Sequence, residues 1–227
     1  MPKTSKRFVN IIGNLLLIVG FLLLAAAYGP IVYDEAWYWL KTQKNQSIEI
    51  NAPESQSVQD SPFARLLSSK LINIDPVNKD FSVVIEKIGV NAPINKDVAV
   101  TNKQAYNEAL KTGIAHASVS EYPSERAGNV YLFAHSSLNF WELGKYAKTF
   151  NLLRKLELGD KVHVFYEGKD YVYEVMNKET YNGWNTYPLE RASIEPILTL
   201  QTCDPPGTTL NRLVVTAKLK EINELEK

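Results

Sequence analysis

The chain has 227 residues, enough for one full domain with appendages but a squeeze for two. Its 25 Lys and Arg balance 25 Asp and Glu, and a formal charge of zero argues against a nucleic-acid protein, whose phosphate contacts demand a basic surplus. Apolar residues at 45% exclude a wholly disordered chain, and a single cysteine excludes an internal disulfide framework and any multi-cysteine zinc site.

Residues 8–27 (FVNIIGNLLLIVGFLLLAAA) carry no charge over 20 positions. At ~1.5 Å per residue that run can cross a ~30 Å hydrocarbon core. Lys3, Lys6 and Arg7 precede it, and Asp34 and Glu35 follow. The positive-inside rule then leaves residues 1–7 in the cytoplasm and the remainder outside. The expectation is one uncleaved transmembrane helix over 8–32. Ala25-Ala26-Ala27 also fits a signal-peptidase site, but the apolar stretch exceeds a usual signal core and resumes at Ile31-Val32. Tyr28, Tyr33, Trp37, Tyr38 and Trp39 read as an aromatic belt at the outer interface.

Residues 33–80 read as a juxtamembrane linker, polar from Lys41 onward, with a short helix at 62–71. From Phe81 the texture changes. Residues 82–88 (SVVIEKI) make a strand, with turn chemistry at 89–93. Residues 105–111 form a short helix stopped by Gly113, and 129–134 (NVYLFA) a strand covered on both faces. Residues 161–166 and 170–175 alternate on either side of Glu167-Gly168-Lys169, the pattern of a hairpin. Leu and Phe over 139–156 suit one or two short helices. Segments 197–202 and 212–219 are two further strands, parted by Asp204-Pro205-Pro206-Gly207, which cannot be sheet interior. The absence of a strand–helix alternation argues against a doubly wound sheet. The expected fold is mainly β, a closed or nearly closed barrel with short helices.

An exported chain with one cysteine invites the question of what the thiol is for. Cys203 is either a reactive thiolate or a small buried apolar residue. Its place at the end of 198–202, before the proline-rich loop, puts it at a sheet rim, where a rigid element opens to substrate. His135 ends the apolar run 130–134, a second strand-end position, and competes with the reading of a hydrogen-bonded structural histidine. His163, alternating within a strand, is structural, and His116 fits either role. If 197–202 and 212–219 pair antiparallel, Arg212 and Cys203 share one end of the sheet; otherwise Arg212 is a surface ion pair. No pair among Cys203 and the three histidines has close metal-ligand spacing, so neither a metal nor a cofactor is expected.

Thr199-Leu200-Gln201-Thr202-Cys203 resembles the T-L-x-T-C strand of sortases, with Arg212 where that family carries its essential arginine. Residues 128–135 (GNVYLFAH) resemble the strand that delivers the family's histidine, and 81–94 (FSVVIEKIGVNAPI) its opening strand and turn. Phe150-x-x-Leu153 followed by Leu158-Gly159-Asp160 extends the match. The resemblance implies an eight-stranded sortase-type barrel over 81–220 with a tail at 221–227. It implies a cysteine transpeptidase in which Cys203 attacks an LPxTG-like sorting signal on exported proteins, His135 serves as acid and base, and Arg212 and Thr202 support the oxyanion or the substrate backbone. The acyl group would pass to an amine of a cell-wall precursor or a pilin lysine. Ala134 stands where many sortases have Gly, and the Cys203-to-Arg212 connection is short. Asp204 beside the sulfur opposes thiolate formation, so the resting Cys–His pair is expected to be neutral.

Overall fold

Eight strands close into a barrel filled by every second side chain in the computed structural model, which describes residues 3–44, 46, 48–50, 72–136, 146 and 148–225. A helical segment α1 (Lys3–Gln43) leads, followed by a small parallel pair, β1 (Ile48–Glu49) and β2 (Ile72–Asn73). The barrel strands are β3 (Phe81–Ile85), β4 (Val90–Val98), β5 (Ile114–Ala117), β6 (Gly128–Phe133), β7 (Lys161–Tyr166), β8 (Lys169–Asn182), β9 (Pro196–Asp204) and β10 (Asn211–Glu224). Their order around the wall is β10-β8-β7-β3-β4-β5-β6-β9, closed between β9 and β10. The expected mainly β, eight-stranded barrel is therefore present.

Two neighbouring pairs, β4–β5 and β6–β9, are parallel; the other barrel pairs are antiparallel. Parallel neighbours need a crossover. Between β4 and β5 it carries helix α2 (Lys103–Thr112), capped by the Asn102 side chain, which accepts from the amides of Gln104 and Ala105. Gly113 then brings the chain so close to β4 that a Cβ would lie 2.4 Å from the Pro93 carbonyl oxygen. The β6–β9 crossover contains the whole β7–β8 hairpin and a short helix α3 (Tyr187–Glu190).

Val130, Leu132, Val162, Val164, Tyr171, Tyr173, Leu198, Leu200, Leu213 and Val215 point inward and make the main core. On the outer wall a second cluster forms where Tyr106, Ala109 and Leu110 of α2 and Leu189 of α3 cover Ala115, Ala117, Tyr131 and Phe133. Both crossover helices thus lie on one outer face.

The β7–β8 hairpin matches its pattern, with Glu167 and Gly168 both at positive φ in a two-residue turn. The first strand is shorter than 82–88: it ends at Ile85, and a 3-10 turn (Glu86–Ile88) leads to Gly89 at φ 66. Residues 90–93 belong to a strand, not a turn, and pairing with β5 begins only at Ile94, past Pro93. The helix expected at 62–71 lies outside the described residues, as do 139–145 and 147 of the helical stretch expected at 139–156; over 148–156 that stretch is turns with one 3-10 turn at Leu153–Lys155.

The N-terminal segment departs most from expectation. No single helix among the described residues is long and apolar enough to cross a membrane. Two arms, Asn10–Ala26 and Ile31–Gln43, meet that standard together and are bent by 56° where Gly29 and Pro30 intervene. A proline has no N–H for the carbonyl one turn back, so a bend there has a local cause. The second arm is also not a free linker. Asp34 pairs with Lys148 at 2.9 Å, Glu35 pairs with Arg154 and with Lys155, and the buried Lys41 donates to the Glu86 and Lys87 carbonyls at 2.8 and 3.1 Å. Trp37 and Tyr38, expected in an interfacial belt, pack against the barrel core; Tyr28, Tyr33 and Trp39 are exposed.

Candidate active site

Alternation along β9 decides what Cys203 faces. Leu198 and Leu200 fill the barrel, so Thr199, Gln201 and Cys203 occupy the outer wall. The antiparallel register sets Arg212 of β10 directly opposite Cys203, and Nη1 of Arg212 donates to the sulfur at 3.3 Å. The same Nη1 lies 3.3 Å from the Asn211 carbonyl and 3.5 Å from that of Thr209, which hold the guanidinium at the strand end.

His135 arrives from the other side. β6 runs parallel to β9 up to Phe133 opposite Gln201, and the ladder continues with the Ala134 amide donating to the Gln201 carbonyl at 3.1 Å. The Thr202 hydroxyl donates to the Ala134 carbonyl at 3.1 Å, and the Gly207 amide donates to the Ser136 carbonyl at 2.6 Å. These bonds bracket His135 and fasten its backbone beside Cys203. The structure thus brings Cys203, His135 and Arg212 to one strand-end cluster on the outer wall. Thr202 belongs there differently: its side chain is buried on the inner side, and its hydroxyl is bonded to Ala134 rather than turned toward the sulfur.

Burial sets the electrostatics. It pushes the Cys203 thiol up, and the Arg212 charge only partly opposes this. Burial also holds the His135 imidazole below the usual histidine range. Both shifts favour a neutral thiol beside a neutral imidazole, the expected resting pair, but the cause is desolvation rather than Asp204. No hydrogen bond joins the two, and the buried Nε2 of His135 has no partner among the described residues.

The remaining histidines are structural. His163 Nδ1 lies 3.0 Å from Asp170, and His116, wholly buried, places Nε2 3.0 Å from both the Glu121 carbonyl and the Ser120 hydroxyl. Among the described residues no three His, Cys, Asp or Glu gather to hold a metal ion.

Two contributors escaped sequence reasoning. Tyr106 of α2 meets His135 edge-to-face, ring centroids 5.5 Å apart. Arg191, at the end of α3, donates to the Thr199 and Thr216 hydroxyls at 2.9 and 2.6 Å, stapling that helix to the wall beside the cluster. Neither residue's spacing in the sequence marks it.

Residues 83–220 match the family pattern described as Sortase domain. Among solved structures, sortase A of Listeria monocytogenes is similar at 23% identity and a TM-score of 0.52, over 65% of this chain and 90% of that one. Sortase E1 of Streptomyces coelicolor, with a tripeptide in its active site, is similar at 21% identity and a TM-score of 0.53, covering 66% and 93%. Sortase C of Clostridium perfringens, solved with the C-terminal cell wall sorting motif, gives 24% identity and a TM-score of 0.51, covering 62% and 69%. Among curated proteins none matches the sequence. With the pattern spanning more than half its length on the barrel just described, the chain belongs to the sortase family of cysteine transpeptidases.

Proposed function

We propose that the protein cleaves an LPxTG-like sorting signal through a thioester on Cys203 and transfers the acyl group to an amine of the cell envelope or of a pilin. The observation that carries this reading is the Arg212 Nη1 donation to the Cys203 sulfur at 3.3 Å, with His135 fastened to the neighbouring parallel strand. That a sortase C was solved with a C-terminal cell wall sorting motif supports the substrate class.

In this mechanism substrate displaces water from the cluster, and the Cys203 proton passes to His135 as the sulfur attacks the carbonyl carbon before the scissile bond. The oxyanion forms within reach of the fixed Arg212 guanidinium, whose charge acts strongly in a partly dry site. Thr202 supports it through main chain only, since its hydroxyl is bonded to Ala134. The carbon–nitrogen bond breaks as the leaving amine takes the proton from His135, leaving the thioester. An incoming amine attacks, His135 takes its proton, and the carbon–sulfur bond breaks to return the thiol. No cofactor enters either half-reaction. The segment over 8–32 serves as a membrane anchor, with residues 1–7 cytoplasmic and the barrel outside, where exported substrates emerge.

The test is intact-mass analysis of the full chain in detergent with a pool of LPxTG-like peptides, with and without an added amine. The expected result is an acyl adduct that the amine converts to ligated peptide, absent in Cys203→Ala. Cleavage indifferent to the amine would make the protein a thiol endopeptidase, and no adduct across the pool would leave a peptide- or polymer-binding domain.

A further inference from the structure

An acid–base imidazole must be held at one orientation, and in many hydrolases a buried carboxylate does this through the second ring nitrogen. No such partner is present here: among the described residues the His135 imidazole makes no hydrogen bond and faces no carboxylate. What touches the ring is Tyr106. Its phenol stacks flat on Phe133, centroids 5.2 Å apart and planes at 15°, and from that platform meets the imidazole edge-on at 76°. Phe133 is fixed in β6, two residues before His135, and α2 is fixed by its Asn102 cap and the buried Leu110. The Tyr106 hydroxyl has no hydrogen-bond partner among the described residues. Burial first, and then the Cys203 charge, push it up to about 12, while Arg212 pulls the other way.

We propose that Tyr106 is the positioning residue for His135, its ring holding the imidazole toward Cys203 in the part that a carboxylate plays in a catalytic triad. The proposal rests on the sortase reading of the cluster for its catalytic meaning, but not for its geometry. Edge-to-face aromatic contacts contribute directional energy beyond area burial, enough to select one ring orientation. An apolar orienter also avoids placing a negative charge near the sulfur, consistent with a pair that rests neutral.

The test reads the imidazole directly. In the full chain in detergent, histidine-labelled NMR follows the His135 titration in the wild type, Tyr106→Phe and Tyr106→Leu, with Tyr106→Met replacing Leu should Leu fail to fold. Wild type and Phe should share a midpoint below the ordinary histidine value. Leu or Met should move it upward as the ring frees and water enters, and acyl transfer should fall roughly 10- to 100-fold with the acidic limb of its pH profile shifting likewise. An unchanged midpoint in Leu or Met overturns the proposal, as does a shift in Phe as large as in Leu. The NMR arm needs no substrate, so it stands even if no sorting-signal peptide reacts.

Discussion

At the scale of single residues, the cluster is a thiol kept protonated by burial and a cation that only partly offsets it. Alkylation of Cys203 by iodoacetamide should therefore rise with pH around a midpoint above that of a free cysteine, and Arg212→Met should move it further up, because the guanidinium is what favours the thiolate. A downward shift would refute the assignment. Arg212→Lys keeps a charge but loses the planar fork, and transfer should fall about 100-fold, measured by the rate of ligated-peptide formation. Thr202→Val preserves shape and removes the hydroxyl that ties β9 to Ala134. It should cost about 1–3 kcal/mol in chemical denaturation and leave the alkylation profile in place. Unchanged stability with lost transfer would return the hydroxyl to the oxyanion.

Elements were legible where pattern is local. The β7–β8 hairpin announces itself through alternation and a turn that needs two positive φ angles, and the antiparallel β9–β10 pair through two β-rich runs around a proline-rich loop. Cys203, His135 and Arg212 were legible for the same reason: each is a lone reactive residue at a strand end. Tyr106 and Arg191 were not, because an aromatic on a helix and an arginine in a loop look like core and surface until a parallel crossover lays them over the wall. Gly183 is a comparable silent position. Its amide donates to the Leu210 carbonyl at 2.8 Å, and a Cβ would lie 2.3 Å from the Thr209 carbonyl, which itself faces Arg212. Neither neighbour is a flexible side-chain end. Gly183→Ala should destabilise by about 1–3 kcal/mol and slow transfer while Cys203 stays alkylatable, and an unchanged melting curve would refute the close approach.

Across the whole molecule, the second arm of α1 is clamped to the barrel by Asp34, Glu35, Trp37 and Lys41, so that arm is docked on the domain rather than free of it. Sequence reading missed this because the contacts are long-range: the helix meets residues more than a hundred positions away. Asp34→Asn with Glu35→Gln removes partly exposed ion pairs worth ~0–1 kcal/mol each, so the barrel should keep its melting temperature while Trp37 fluorescence shifts to the red as the arm loosens. No spectral change would mean that apolar packing alone holds it. The parallel pairing of β6 with β9 has a further consequence, for timing. The nucleophile and its proton partner come from strands separated by a long crossover, and the guanidinium from the last barrel strand. No hairpin or early fragment contains all three, and closing so long a loop is a late, slow event in folding. A chain still being synthesised thus carries an ordinary thiol without its partners, and the three-residue cluster exists only when the wall closes between β9 and β10.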